Sequence, residues 1–152
     1  MRATLFLIAL ARPFTIFGAA ASSTDFEVIN KRQLVKPPPC VRSCDATVAE
    51  TEARHEKFVD AFIIKKDITE AFRYIAEDYI NHNPFAQNGS DSAWGILSSI
   101  WGNQTITVLE TRFISPQGWL NYQSAFGTIV DRFRWEEGCI AEHWDQGEQM
   151  PG

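Results

Sequence analysis

From Asn103 onward the chain alternates apolar and polar residues with period two, in segments at 105–114, 119–126, 128–135 and 139–146. Ser115-Pro116-Gln117-Gly118 turns between the first pair, and Gly127 and Gly138 punctuate the later ones. Four short alternating strands in a row predict an antiparallel meander with one face buried. Ahead of them the period changes. Val48, Thr51, His55, Phe58, Val59 and Phe62 recur at three and four, the spacing of one amphipathic helix. Asp67 followed by Glu70 has the spacing of a capping box and announces a second helix with Ile68, Ala71, Phe72 and Ile75 inward. The chain then extends through Tyr79-Ile80-Asn81-His82-Asn83, because Pro84 biases Asn83 away from helix. A third helix follows Ser90 or Asp91, with Trp94, Leu97 and Trp101 as core residues. Helices first and strands afterwards give an α+β class: three N-terminal helices packed on a curved antiparallel sheet, a cone with an apolar interior.

The last strand pair carries the chemistry. A three-residue loop, Glu136-Glu137-Gly138, sets Trp135 opposite Cys139, Arg132 opposite Glu142, Asp131 opposite His143 and Ile129 opposite Asp145. Arg132 and Glu142 then form a cross-strand ion pair on a face shared with Val130, Arg134, Ile140 and Trp144. The other face carries Ile129, Phe133, Trp135, Cys139 and Ala141, together with Asp131, His143 and Asp145. Groups with acid–base capacity on an apolar face are costly to bury unpaired, so they point to a hydrogen-bonded network or a pocket lining. His55 near the helix stripe reads as structural.

Residues 1–21 read as a targeting segment: Arg2, an apolar run at 3–11, and Ala19-Ala20-Ala21 before Ser22 suit a secretory signal. Arg12-Pro13 interrupts the run and also suits an organellar transit peptide, so secretion is the expected location, with an organelle or the cytoplasm as alternatives. Residues 22–45, ending in Lys36-Pro37-Pro38-Pro39-Cys40, predict an extended arm with little packing, and 46–150 form the domain. Of three cysteines, Cys40 and Cys44 are placed to bridge within the arm, and the odd count leaves at least one thiol over. Two sequons, Asn88-Gly89-Ser90 and Asn103-Gln104-Thr105, are compatible with export. The net charge of −5 and the lack of a basic stripe argue against a nucleic-acid partner, and no apolar run is long enough to cross a bilayer. No spacing among His82, His143, Asp131 and Asp145 favours a metal.

Three stretches carry a resemblance: Tyr79-Ile80-Asn81-His82-Asn83-Pro84, Asp131-Arg132-Phe133-Arg134, and Gly138-Cys139-Ile140-Ala141-Glu142-His143-Trp144-Asp145. Together they resemble the SnoaL-like polyketide cyclase family of the nuclear-transport-factor-2-like superfamily, over about residues 46–150. The resemblance implies a cone-shaped fold, often dimeric through the outer face of the sheet, and a reaction that needs neither metal nor other cofactor. It implies Asp145 as the acid/base group of an aldol-type ring closure, isomerisation or dehydration, with Asp131, His143 and His82 as further catalytic candidates. Asn81, Phe133, Trp135 and Ile129 are then the candidate contacts to a small apolar carbonyl-containing ligand. Such chemistry needs a base for a proton next to a carbonyl and an acid for the oxygen, and burial among aromatic rings tunes carboxylates for that work. The short turn between the middle strands and the added leader depart from the family, and they suit a second reading: a secreted, non-catalytic ligand-binding or dimerising module on the same fold.

Overall fold

The computed structural model describes Leu34–Gly152; the expected targeting segment at 1–21 and arm residues 22–33 lie outside the described residues. Helix α1 (Val48–Val59) starts where Thr47 and Glu50 cap each other, the Thr47 hydroxyl accepting the Glu50 N–H and the Glu50 carboxylate accepting the Thr47 N–H. Thr51, His55 and Phe58 turn inward, while Val48, expected on that stripe, is exposed. The apolar stripe continues through a π-helical turn, Asp60–Ile64, that buries Ala61, Phe62 and Ile63. Asp67 accepts the Glu70 N–H and starts α2 (Ile68–Ala71), which lasts one turn before a 3-10 turn, Phe72–Tyr74. Ile75 is not the last inward residue of that helix but the first of β1 (Ile75–Asn81), because the chain there pairs with the final strand. Helix α3 (Ser90–Leu97) follows Gly89, whose φ of 90° lies in the left-handed region. Trp101 sits in a following 3-10 turn, buried against Phe62 with its indole N–H donated to the Phe62 carbonyl.

Strands β2 (Thr107–Ile114), β3 (Gln117–Ser124), β4 (Gly127–Glu136) and β5 (Cys139–Trp144) form the expected antiparallel meander. β1 joins its edge parallel to β5, giving the order β1-β5-β4-β3-β2. The helices cover one face of this sheet, and their core rings, led by Phe58, Phe62 and Phe72, pack on Leu120, Phe133, Trp135 and Ile140.

The β4–β5 hairpin differs from its sequence reading. The loop is two residues, Glu137 and Gly138, both at positive φ, with Glu136 opposite Cys139 and Trp135 opposite Ile140. Two positive-φ residues give a turn whose twist matches the strands it joins. An irregularity follows at Ala141, so that Arg134 faces Glu142 and Phe133 faces His143. Near the turn the faces are therefore exchanged relative to the expectation: Ile140 enters the core and Cys139 leaves it. Beyond Ala141 the extra residue restores the expected parity, and His143 returns to the face of Asp131. The ion pair made by Glu142 is with Arg134 at 2.6 Å, while Arg132 pairs instead with Glu148 at 2.8 Å.

The described part of the arm is held to the domain. Cys40 bridges to Cys139, 99 residues on, and Cys44 is free and exposed, so the expected Cys40–Cys44 bridge does not form. The backbone N–H of Cys40 donates to the Ile75 carbonyl in a parallel bridge beside β1. Arg42 pairs with Asp78 and Glu136, and Lys36 with Asp91. Cys139 faces the arm because the two-residue turn rotates it out of the core.

Candidate active site

Period two along four neighbouring strands, β1, β5, β4 and β3, brings one polar cluster together inside the cone. Tyr79 and Asn81 of β1, Asp131 of β4 and Tyr122 of β3 all point inward, and His143 does so because of the extra residue at Ala141. Asp131 is 4% exposed and has a polar partner at each oxygen. The Tyr122 hydroxyl donates to its Oδ2 at 2.9 Å, and His143 Nε2 lies 3.0 Å from its Oδ1. His143 Nδ1 lies 3.2 Å from Asn81 Oδ1. That amide orientation is fixed, because Asn81 Oδ1 also accepts the Asn83 N–H at 3.0 Å.

These contacts count protons. Asn81 Oδ1 can only accept, so His143 Nδ1 carries a hydrogen. Nε2 and Asp131 Oδ1 then face each other as two acceptors unless a proton lies between them. The pair can therefore hold one proton between its two atoms, and Asn81 and Tyr122 orient it from either side.

Asp145 follows β5 at the same polar end. Asn83 donates its amide N–H to Asp145 Oδ2, and Asn83 is itself fixed by the Phe85 N–H on its oxygen at 2.7 Å. Asp145 Oδ1 is buried and has no hydrogen-bond partner. One donor atom each from Asp131, His143 and Asp145 lies within 4.8 Å of the others, on the shared face that the sequence alternation predicts. The cavity measures about 600 Å³ and is otherwise largely apolar: Phe58, Phe62, Leu97, Trp101, Ile129 and Phe133 line it. Phe85 and Phe126 stand at 89% and 68% exposure among its lining residues, so an apolar molecule has rings to meet at the entrance as well as inside. Burial pushes the phenols of Tyr79 and Tyr122 well above their usual range, with Asp131 and Asp145 adding to it, so both remain hydrogen-bond donors.

Six of the expected site residues line this cavity: Asp145, Asp131, His143, Asn81, Phe133 and Ile129. Two do not. His82 lies on the opposite face, since it is one residue out of phase with Asn81 and Asn83 where the extended chain runs on from β1. There it stacks on Trp144 at 4.3 Å and bonds Glu142 at 2.8 Å. Trp135 is 2% exposed and sits deeper in the core, against His55 and Phe58. Trp144 lies between His82 and the Arg132 guanidinium, which is 3.9 Å from its ring centre, so it packs the outer face as expected. Tyr122, Tyr79 and Asn83 were not among the expected site residues. Period two from Asn81 would have found Asn83, and the inward run Gly118, Leu120, Tyr122 would have found the tyrosine opposite Ile129.

No family model and no curated protein matches the sequence. Solved structures do. A SnoaL-like protein of unknown function from Burkholderia thailandensis superposes with a TM-score of 0.54 at 11% identity, over 66% of this chain and 97% of that one. A protein from Kribbella flavida, provisionally described as a ketosteroid isomerase, gives 0.51 at 18% identity over 68% and 84%. One from Sinorhizobium meliloti, provisionally described as a polyketide cyclase, gives 0.50 at 16% over 62% and 94%. At these identities the likeness establishes a shared fold.

Proposed function

This chain has the nuclear-transport-factor-2-like fold of the SnoaL-like proteins, and from that premise we propose that it is an acid/base enzyme acting on a small apolar carbonyl compound. The observation that carries the proposal is the buried, unpartnered Oδ1 of Asp145 beside the proton-bearing Asp131–His143 pair, at the polar end of an apolar cavity. Asp145 removes a proton from the carbon next to the carbonyl, and the electron pair moves onto the carbonyl oxygen. The proton between His143 and Asp131 passes to that oxygen, with Tyr122 holding Asp131 in place. The resulting enol can attack a second carbonyl, return its proton at another carbon, or expel a hydroxyl as water. These are the cyclisation, isomerisation and dehydration branches. The apolar walls favour a substrate whose only polar edge is the reacting one, and they keep water from competing for the base.

Exchange of Asp145 for Asn keeps the shape and removes the base. In a panel of β-dicarbonyl and polyketide-like compounds, Asp145→Asn is expected to lose turnover by at least ~100-fold while retaining ligand affinity. Should the wild-type protein turn over none of them while binding some, the non-catalytic module becomes the better account. We propose further that the protein is exported. The buried Cys40–Cys139 bridge supports an oxidising compartment, in line with the leader read from the sequence. Among the described residues no helix is long and apolar enough to cross a membrane.

A further inference from the structure

The facing pair of acceptors, His143 Nε2 and Asp131 Oδ1, needs a cation between or beside them, and a proton is not the only one that fits. We propose that Asp131, His143 and Asp145 bind one divalent first-row metal ion, with zinc as the test ion, through Asp131 Oδ1, His143 Nε2 and Asp145 Oδ1.

Four features of the site argue for it. The 3.0 Å between Asp131 Oδ1 and His143 Nε2 is the separation of two ligands at a right angle around an ion about 2.1 Å from each, and the Asp145 carboxylate, within 4.8 Å of both, needs a small side-chain rotation to join them. Each proposed ligand is oriented by a different outer group acting on its other polar atom: Tyr122 on Asp131 Oδ2, Asn81 on His143 Nδ1, and Asn83 on Asp145 Oδ2. This is how metal-binding imidazoles and carboxylates are held, and it leaves the ligating atoms free. Asp145 Oδ1 is that free atom: buried, and without any donor. Lastly, once the shared proton leaves, two carboxylates and an imidazole face one another beside an apolar cavity, an arrangement that a divalent ion balances. One imidazole with two carboxylates suits zinc or manganese, and the open cavity leaves coordination positions for water or a ligand oxygen. The inference does not rest on the proposed reaction, although a bound ion would compete with the stored proton for the same two atoms and would lie where a substrate carbonyl is drawn.

The chain has only three histidines, so the imidazoles report the site directly. His55 is buried among Phe113 and Trp135, and His82 bonds Glu142 on the outer face. The experiment is a titration of the full-length, chelator-treated protein with zinc chloride, followed by imidazole nitrogen NMR and by calorimetry. One equivalent of zinc is expected to shift Nε2 of His143 alone. Asn83→Ala is expected to weaken binding by roughly 10- to 100-fold, and Asp145→Asn by at least as much, with melting temperatures showing that both variants remain folded. His82→Gln is expected to leave zinc affinity unchanged. Absence of saturable binding at one equivalent, a shift at His82 instead of His143, or undiminished affinity in folded Asp145→Asn overturns the proposal. Turnover is measured separately on the zinc-free protein. A chain that binds zinc at His143 but turns over nothing keeps this inference and loses the proposed reaction, and the reverse result separates them the other way.

Discussion

A single asparagine oxygen decides what the central histidine can do. Because Asn81 Oδ1 accepts from both the Asn83 N–H and His143 Nδ1, the imidazole must present Nε2 to Asp131, and the pair must share a cation. Tyr122 completes the arrangement. Tyr122→Phe leaves Asp131 Oδ2 buried without a donor, which costs about 1–3 kcal/mol of stability. The same change slows turnover roughly 10-fold through the loosened pair, a loss of about 1.4 kcal/mol in the barrier. Thermal melts and steady-state rates on the one variant check both effects. His55 is the second residue whose state the fold dictates. Neither ring nitrogen has a partner, and burial between Phe113 and Trp135 lowers its pKa from 6.5 to about 4. A depressed folded-state value means that its contribution is fully present above pH 6.5 and is lost as the pH falls through about 4. The size of the shift sets that loss at about 3 kcal/mol. Glu52, Glu56 and Arg112 line the adjoining hollow and offer it no hydrogen bond. Urea unfolding across this window is expected to show the loss, and His55→Phe is expected to flatten it.

The elements were legible in the sequence to different depths. The change of period at Asn103 marked where helices give way to strands, and the meander and the polar face of β5 follow from it, while of the helix caps only that of Asp67 was legible. What did not follow was the local geometry of the last hairpin. Register depends on the loop and on the extra residue at Ala141, and neither leaves a mark in apolar–polar alternation. The alternation that placed Asp131 and His143 on one face survived only because that irregularity undid the effect of the shorter loop. Pairing of β1 with β5 was equally invisible, since a parallel edge strand is joined to its partner by the rest of the chain. That pairing is what brings Asn81 to His143. Gly118 on β3 lies against the His55 imidazole, and an added methyl would collide with Nδ1 and Cε1. Gly118→Ala is expected to cost about 1–3 kcal/mol in chemical denaturation, because α1 must shift off the sheet to admit it.

Across the whole molecule, the arm and the last strand are tied by Cys40–Cys139, with Cys139 fully buried and Arg54 reaching both the Cys40 sulfur and the Gly138 carbonyl. Closing a loop of 99 residues restricts the unfolded chain strongly. Cys139→Ser is expected to lower unfolding stability by roughly 2–5 kcal/mol, with the drop reproduced by reducing the wild-type protein. The bridge also fixes the edge of the sheet that carries Asn81, so reduction is expected to loosen the site before it unfolds the core. A crystal structure with a bound, slowly reacting β-dicarbonyl ligand decides whether Asp145 is a base aimed into the apolar cavity. The acidic carbon is expected roughly 3–3.5 Å from Asp145 Oδ1, with the carbonyl oxygen toward the His143–Asp131 pair. A ligand seated in the cavity with its acidic carbon turned away from Asp145, or bound only outside the cavity, would contradict it.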